Sequence, residues 1–348
     1  MVTIRDVARE AGVSVASASR ALNGHDSVTP ATRARIEAAA KQLRYVPHSG
    51  ARSLTRRQSD SIGVVLPDLF GEFFSELIRG IDRVAHAHGL QLLLSNMHGN
   101  PHEATSAVRA MRGRVDGLLV MTPDLQREHL FDALSPGLPA VLLNCHDRAP
   151  GIASVGIDNQ AGARAMTDYL VACGYRRIAF VSGPRENRDS EARRRGFVEA
   201  LQAATGERDP LIMPGDYSEA SGAEAARLIL AGRLPVDAIF CANDMMAIGC
   251  CSVLADAGIA VGEDIGVAGF DDIPIAHYAA PALTTMNGRI AELGETAAAM
   301  LIRLIADPAQ SRDVIVLAPE LVARHSTARR DAPKFNRTQT VLKERIPS

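Results

Sequence analysis

Cysteine is scarce in this sequence, and its arrangement builds no covalent or metal-binding framework. The five cysteines are odd in number, no two have the CxxC spacing, and most lie in apolar segments: Cys145, Cys173, Cys241, Cys250 and Cys251. Reduced, buried thiols of a cytosolic protein follow this pattern. It argues against a disulfide-stapled secreted fold and against a cysteine-rich zinc module.

Long apolar runs are also missing. Although 47% of the 348 residues are apolar, no stretch reaches the roughly 18 consecutive apolar residues of a membrane span. The N-terminal segment MVTIRDVAREAG has the pattern of an amphipathic helix and lacks the apolar core of a signal peptide. We therefore expect no membrane partner and a cytoplasmic location. The length predicts two or three domains.

The motifs of several enzyme classes are absent. No GxGxxG follows a predicted strand, and neither GxxxxGK[ST] nor GxSxG occurs. His86 and His88 are two positions apart on a predicted helix, so they do not share a face and do not form a metal pair. Paired carboxylates for glycoside hydrolysis stay conceivable at the strand ends. The sequence predicts no enzyme activity, no cofactor and no metal.

Positive charge is concentrated at one end of the chain. Residues 1–58 contain ten basic and four acidic residues, a net charge of +6, whereas the whole chain carries −2. The remaining residues therefore carry −8. A basic module on an acidic body is typical of polyanion binding at one end. A solvated charged surface is the alternative.

The basic end has the pattern of a helix-turn-helix. Residues 4–11, IRDVAREA, place their apolar side chains on one helical face. After a glycine turn, Ser14 is a suitable N-cap for a second helix. Thr29 and Pro30 have the residue types that start a third helix. Two helices joined by a short turn and followed by a supporting helix bind DNA, and we assign residues 1–46 to this headpiece.

The second helix would present Val15, Ala16 and Arg20 to base edges in the major groove. The guanidinium fork of Arg20 matches guanine O6 and N7, although a phosphate contact is the alternative. Val15 and Ala16 offer apolar contact, for example to a thymine methyl group. Thr3, Ser14 and Asn23 are suited to phosphate hydrogen bonds, which position the protein without reading sequence.

Two segments carry a family resemblance. TIRDVAREAGVSVASASRALNG and VTPATRARIEAAAKQLRYVPHSGARSL resemble the headpiece of the LacI/GalR family of bacterial repressors. The likeness is dense over residues 3–57 and continues more loosely to about residue 330. It implies a homodimer that binds double-stranded operator DNA and responds to a small-molecule effector.

Residues 47–60 form the predicted hinge helix and linker. An isolated helix of this length is marginal and Gly50 weakens it further, so we expect it to be disordered alone and to fold on DNA. The resemblance implies that Ala51 and Leu54 enter the minor groove, where Leu54 wedges into a base step. Packing of Leu54 between hinge and body is the alternative. Gly50 departs from the larger apolar residue usual in the family.

From residue 61 onward, short apolar runs alternate with helical stretches in two successive series. This βαβ repetition predicts largely parallel sheets. The fold class expected is therefore an all-α helix-turn-helix headpiece plus an α/β two-lobed sensor domain resembling type I periplasmic binding proteins, over residues 61–330. Residues 331–348 are a polar tail, expected to be disordered, and have no leucine heptads that would indicate a tetramer.

In open α/β sheets, ligands bind beyond the carboxyl ends of the strands. Together with the family's pocket, this rule selects eight candidates for effector binding: Phe73, Asp158, Asn187, Asp189, Arg193, Tyr217, Asn243 and Asp271. Aromatic faces beside carboxylates, amides and an arginine suit a sugar, which stacks its CH faces and hydrogen-bonds its hydroxyls. The resemblance gives Phe73 the stacking position, Tyr217 an aromatic wall and Asp158 a gate.

The other candidates fall in short motifs. Arg193 ends a GP-x8-R spacing, Asn243 lies in CAND and Asp271 in GFDD. An internal salt bridge is the alternative for Arg193, and helix capping is the alternative for Asp271 and for one of the Asn243-Asp244 pair. Phe74 is expected in the core.

The expected function is repression of carbohydrate-utilisation genes, relieved by a mono- or disaccharide bound between the lobes. Purine-binding family members have Arg and Thr where this sequence has Asn187 and Asp189, which favours a neutral polyol over an anionic base. The alternatives are a corepressor-dependent regulator of another metabolite and a solute-binding protein.

Overall fold

The structure, a computed structural model, describes residues 2–23, 27–45, 59–98, 100–121, 134, 137–144 and 151–328. Several predictions lie outside these residues and stay predictions. They concern Ala51 and Leu54, the rest of the hinge up to residue 58, and the tail 331–348.

Three helices form the headpiece: α1 (Ile4–Glu10), α2 (Val15–Leu22) and α3 (Pro30–Gln42). Their shared core contains Val7, Ala18 and Ile36, which are fully buried. The Ser14 side chain accepts a hydrogen bond from the Ser17 backbone N–H and so begins α2. The predicted helices are confirmed to within a few residues, because caps and apolar spacing are local properties of the chain.

The first lobe is built on a six-stranded parallel sheet in the order β11-β5-β4-β3-β1-β2. Its strands and helices are β1 (Ser61–Leu66), α4 (Glu72–Ala87), β2 (Gln91–Asn96), α5 (Pro101–Met111), β3 (Gly117–Met121), β4 (Ala140–Leu143), β5 (Ala153–Ile157), α11 (Ile290–Ala306) and β11 (Val314–Leu317). Strands β1, β3 and β4 are buried throughout, as strands covered on both faces must be.

The second lobe is built on a four-stranded parallel sheet in the order β7-β6-β8-β9. Its elements are α6 (Asn159–Ala172), β6 (Ile178–Val181), α7 (Arg188–Thr205), β7 (Ile212–Met213), α8 (Glu219–Ala231), β8 (Ala238–Cys241), α9 (Asp244–Asp256), β9 (Gly266–Ala268) and α10 (Pro274–Tyr278). An antiparallel ribbon of β10 (Thr285–Asn287) and β12 (Glu320–Val322) completes it and leads to a 3₁₀ turn, His325–Thr327.

The chain passes between the lobes at three crossovers within the described residues. They lie between β5 and α6, between β10 and α11, and between β11 and β12. VIVLAPELVAR therefore supplies strands to two different sheets. The sequence analysis assigned no element to residues 219–231 or 290–306, which form α8 and α11. In α11 the buried residues Ile290, Leu293 and Leu301 recur at helical spacing, so local sequence was sufficient to predict this helix.

Glycines allow two helices of the second lobe to pack at short range. A Cβ built on Gly222 of α8 would lie 2.0 Å from the Met246 carbonyl oxygen, and one on Gly249 of α9 would lie 2.0 Å from the Glu219 oxygen. No side chain fits at such distances, so glycine at both positions fixes the spacing of α8 and α9.

In the described part of the chain no helix has the length and apolar character needed to cross a bilayer. Among the same residues, no group of His, Cys, Asp and Glu is arranged to hold a metal ion. Four cysteines, all except Cys145, are described and are free thiols. Burial raises the pKa of the Cys241 thiol.

Candidate functional site

Helix α2 carries the residues predicted to read DNA bases. Val15, Ala16 and Arg20 are all exposed, whereas Ala18 and Ala21 on the opposite side are buried in the headpiece core. The structure therefore places the three predicted residues together on the solvent face of the second helix, the face available to a groove.

The residues predicted to hold phosphates also have partners within the headpiece. The Thr3 backbone N–H and hydroxyl donate to Asp6 Oδ2 at 3.0 and 2.8 Å. Ser14 Oγ accepts from the Ser17 N–H at 3.1 Å, and Asn23 Nδ2 donates to Ser19 Oγ at 3.3 Å. Thr3 and Ser14 are exposed beside helix ends. Their role in holding phosphate stays a prediction.

Two arginines of the basic end have a structural role that the sequence analysis missed. Arg33 Nη1 donates to the Ala21 carbonyl at 2.9 Å, and Arg35 Nη2 donates to the Ala11 carbonyl at 3.0 Å. The Ala21 carbonyl lies in the last turn of α2, and the Ala11 carbonyl lies directly after α1. Cations stabilise the carboxyl ends of helices. These two arginines count toward the net charge of residues 1–58, but their guanidinium groups already hold helix carbonyls and are less available to bind DNA.

Five buried polar residues meet between the lobes, and we refer to them as the interlobe cluster. Asn144 follows β4 of the first lobe, Asn159 begins α6, Asp189 and Arg193 lie on α7, and Asp271 follows β9. None of the five is more than 6% exposed. The carboxyl ends of parallel strands bring them together although they are distant in sequence.

Arg193 is the centre of the cluster. Its Nε donates to Asn159 Oδ1 at 2.7 Å, and its Nη1 donates to the Ala242 carbonyl. Its Nη2 lies 3.1 Å from Asp271 Oδ1, while the guanidinium carbon lies 3.8 Å from the centroid of the Phe270 ring. The internal salt bridge considered as the alternative for Arg193 is therefore present, and it fixes the guanidinium in one orientation.

Asp189 joins the two lobes. Asn144 Nδ2 donates to its Oδ2 at 3.1 Å, and Asn159 Nδ2 donates to its Oδ1 at 3.0 Å. The bond from Asn144 crosses from the first lobe to the second. Asn144 Oδ1 is buried and accepts no hydrogen bond from the protein. Because Asp189 is an acceptor, it holds the Asn144 amide in one orientation.

Burial and neighbouring charges shift the pKa values of several groups in and beside the cluster. Burial raises the pKa of Asp271 to about 6, although the neighbouring Arg193 guanidinium lowers it in part. Burial opposes the charge on Arg193, but Asp271 and Asp189 more than offset this effect and raise the pKa of Arg193. Burial also raises the pKa of Asp244 well above its usual range. The cluster thus holds one firm cation, Arg193, and a carboxylate, Asp271, that is costly to keep charged.

Three more predicted residues border the cluster in the second lobe. Asn187 is the N-cap of α7 and also accepts a 3.4 Å hydrogen bond from the Tyr217 hydroxyl. Asn243 is the N-cap of α9, and its Nδ2 donates to the Tyr217 carbonyl at 3.0 Å. Of the Asn243-Asp244 pair, the asparagine is therefore the cap. Burial raises the pKa of Tyr217.

Two predicted residues are not joined to this group by the contacts of the structure. Phe73 is half-buried in the first turn of α4 and packs edge-on against Phe74, with ring centroids 5.3 Å apart. Asp158 is exposed and caps α6 by accepting from the Ala161 N–H at 3.0 Å. The stacking and gating roles of Phe73 and Asp158 stay predictions.

Asn144, Asn159 and Phe270 were not among the predicted site residues. The strand-end rule itself points to Asn159, which follows Asp158 after β5, and it could have found Asn144, because Asn144 directly follows the apolar run LPAVLL. Nothing in the sequence marked Phe270 as a site residue, since an apolar residue after a strand usually belongs to the hydrophobic core.

Comparison with known proteins agrees with both parts of the fold. Residues 3–48 match the family model described as bacterial regulatory proteins, lacI family, and residues 167–327 match the periplasmic binding protein-like domain. The transcriptional regulator GalS of Salmonella typhimurium is 37% identical over 334 residues, covering 94% of this chain and 97% of that protein. This chain belongs to the LacI family.

Two further LacI-family proteins extend the comparison. The ribose operon repressor of Escherichia coli K12 is 35% identical over 332 residues, covering 94% of this chain and all of that protein. The lac repressor dimer solved with operator and an anti-inducer superposes with a TM-score of 0.84 at 30% identity, covering 94% and 99% of the two chains. The chain is thus a LacI-family DNA-binding transcriptional regulator, and the relatives described here are regulators of transcription.

Proposed function

We propose that this regulator represses carbohydrate-utilisation genes and that a mono- or disaccharide bound at the interlobe cluster releases it from its operator. The observation that carries the proposal is the cluster itself. Its five side chains supply fixed donors and acceptors, contributed by both lobes, at the carboxyl ends of the strands. Such sets of buried donors and acceptors discriminate hydroxylated ligands strongly.

The charges of the cluster favour a neutral ligand. Arg193 is already opposed by Asp271 and Asp189, so an anionic ligand would meet two carboxylates and little uncompensated positive charge. A sugar hydroxyl can donate to a carboxylate and accept from a guanidinium, which suits this mixture. The name of the ribose operon repressor supports the sugar class.

The proposed DNA complex contains two copies of the chain. In it, the headpieces (1–46) place Val15, Ala16 and Arg20 in successive major grooves of a near-palindromic operator. Thr3, Ser14 and Asn23 hold phosphates, while Ala51 and Leu54 of the hinge (47–60) enter the minor groove. The body (61–330) binds the effector through Phe73, Asp158, Asn187, Tyr217 and Asn243 beside the cluster. The regulator acts on DNA in the cytoplasm.

Effector control requires that the sugar bind the closed and open arrangements of the lobes with different affinity. Asn144 and Asp189 are the contact between lobes that a sugar would compete for or extend. A change in their separation alters the angle between the lobes. The angle in turn sets the spacing of the two hinges that the dimer presents to DNA.

The full-length protein tests the proposal in two steps. An operator is first selected from a randomised duplex library by gel shift. D-ribose, D-galactose, D-glucose, cellobiose, hypoxanthine and guanine are then screened by calorimetry and added to the complex. Binding of a sugar together with release of the operator supports the proposal. Binding of a nucleobase that strengthens the complex overturns it and establishes a corepressor instead.

A further inference from the structure

Phe270 lies directly beneath the guanidinium of Arg193. Its ring is fully buried, and the guanidinium carbon is 3.8 Å from the ring centroid. A cation over an aromatic face is attracted by the negative face of the ring, and the attraction grows when water is excluded. Arg193 is only 3% exposed, so this condition is met. The ring therefore supports the arginine from the side that its hydrogen bonds leave open.

The edge of the same ring faces a crossover between the lobes. A Cβ built on Gly162, in the first turns of α6, would lie 2.8 Å from Phe270 Cζ and 2.9 Å from Pro319 Cγ. Gly162 follows the crossover from β5, and Pro319 lies on the crossover between β11 and β12. Glycine at 162 thus leaves the space that the ring occupies next to two of the three crossovers.

The next residue reaches the remaining crossover through its backbone. The Asp271 N–H donates to the Met286 carbonyl at 2.8 Å, and the Asp271 carbonyl accepts from the Gly288 N–H at 3.4 Å. Residues 288–289 form the crossover between β10 and α11. Asp271 has a φ of +116°, a backbone conformation that costs energy in a residue with a side chain. The surrounding contacts hold it there.

We propose that Phe270 is a positioning residue for Arg193, and that Phe270 and Asp271 together transmit a displacement of Arg193 to all three crossovers between the lobes. The inference deepens the proposed function, on which its effector step rests. Phe270 touches no ligand in this scheme. It orients the guanidinium that does, and it moves the crossovers when the guanidinium moves.

The face of the ring, and not only its volume, is required. A leucine would fill a similar space but offers no negative face to a buried cation. Progressive fluorination of the phenylalanine ring weakens that face while changing its size little. The tests therefore replace Phe270 by mono-, di- and trifluorinated phenylalanine through codon suppression in the full-length protein.

The first measurement needs no ligand. If the ring face stabilises buried Arg193, each added fluorine lowers the melting temperature, by about 2–5 °C in total. In the presence of D-ribose, D-galactose, D-glucose and cellobiose in turn, the affinity for the sugar that binds falls about 3- to 30-fold across the series. An unchanged melting temperature and affinity would show that Phe270 only fills space.

The second measurement addresses the crossovers. Gly162→Ala pushes on the ring edge without touching Arg193, and Gly232→Ala is the matched control, since Gly232 has a helical φ of −76° at the end of α8. Amide hydrogen exchange without ligand is expected to rise at residues 157–162, 286–290 and 317–320 in G162A. The β8 amides report on the global fold and are expected to keep their protection.

With a binding sugar, G162A is expected to lose at least about tenfold of the sugar's effect on operator affinity, measured as the ratio of operator affinities without and with saturating sugar. Wild-type exchange at the crossovers, together with wild-type coupling, would overturn the inference while leaving the proposed function in place. If the wild-type protein binds no sugar, the proposed function fails, and the melting and exchange measurements still decide the role of Phe270.

Discussion

The side-chain amide of Asn144 donates a 3.1 Å hydrogen bond to the carboxylate of Asp189, and this bond crosses between the two lobes of the body. Both residues are almost fully buried, at 1% and 5% exposure. A buried bond between bodies that can move apart is a natural determinant of their relative population. It links β4 of one sheet to the first turn of α7 on the other.

Replacement of Asn144 by Asp sets two carboxylates against each other across the lobes. The repulsion is expected to favour the open arrangement and to lower sugar affinity by at least about tenfold, because a close like-charge pair in a buried site is costly. Small-angle scattering of the ligand-free protein should show a larger radius of gyration. Asn144→Ser, which keeps a donor, is the control, and equal scattering of N144D and wild type would contradict the prediction.

The raised pKa of Asp271 implies that the stability of the protein depends on pH. Its pKa is raised from 3.8 in the unfolded chain to about 6 by burial, so the folded protein binds the proton more tightly. The stabilisation is complete below pH 3.8 and is lost as the pH rises through about 6. Urea unfolding should show that the wild type loses about 1 kcal/mol more than Asp271→Asn between pH 5 and pH 7.5. Equal losses would refute the assigned shift.

Sugar binding is expected to have the opposite pH dependence. Below pH 6, Asp271 becomes protonated and can no longer accept a hydroxyl proton as a carboxylate while paired with Arg193. Sugar affinity should therefore fall about tenfold between pH 7.5 and pH 5. Calorimetry over this range measures it. Affinity in Asp271→Asn should be weaker and flat with pH.

The close approach of α8 and α9 at their glycines leads to a prediction about stability. Gly222→Ala places a methyl group 2.0 Å from the Met246 carbonyl oxygen, and overpacking of this kind costs about 1–3 kcal/mol. Gly232→Ala, where the added Cβ would lie 3.1 Å from the Leu228 carbonyl oxygen, should change the free energy of unfolding by less than about 1 kcal/mol. Urea titration of both variants gives the comparison, and similar values would exclude close helix packing.

Replacement of Arg20 is expected to reduce the protein's discrimination between DNA sequences. Arg20→Ala should weaken binding to the selected operator by about 1–3 kcal/mol and relax specificity at one base pair, while binding to random duplex DNA changes little. Arg20→Lys separates the two roles considered for this residue, since lysine keeps a phosphate contact but loses the fork. If R20K retains the specificity of the wild type in gel shifts, Arg20 contacts a phosphate and not a base.

Leu54 lies outside the described residues, yet its proposed role is testable. Wedging a leucine between base steps kinks the duplex, so Leu54→Ala should reduce operator affinity sharply and reduce DNA bending in a circular-permutation gel assay. Sugar binding should be unaffected. Loss of sugar affinity with normal bending would indicate instead that Leu54 packs between hinge and body.

The three helices of the headpiece could be predicted almost completely from local sequence. Caps at Ser14 and Thr29, a proline in the first turn of α3, and alanines at helical spacing specify three helices through contacts only a few residues apart. The alternation of buried strands and helices likewise predicted the two-lobed α/β class, which is confirmed. The helices α8 and α11 were not predicted, although the apolar residues of α11 recur at helical spacing.

The effector site was only partly accessible from sequence. Strand ends identified Arg193 and Asp271 as candidates, because every parallel strand must deliver its next residues to one edge of the sheet. Which of these residues meet depends on sheet order and on the packing of two lobes. Asn187 and Asn243 were expected beside ligand, and the structure shows that each also caps a helix.

By itself, the sequence determined the DNA-binding headpiece, the concentration of positive charge at one end and the α/β class of the body. Only the tertiary structure decided that Asn144 holds Asp189, that Phe270 lies beneath Arg193 and that Arg33 and Arg35 hold helix ends. The physical reason is separation along the chain. Asn144 and Asp189 are 45 residues apart, and no local pattern encodes which distant strand ends will face each other once two lobes pack.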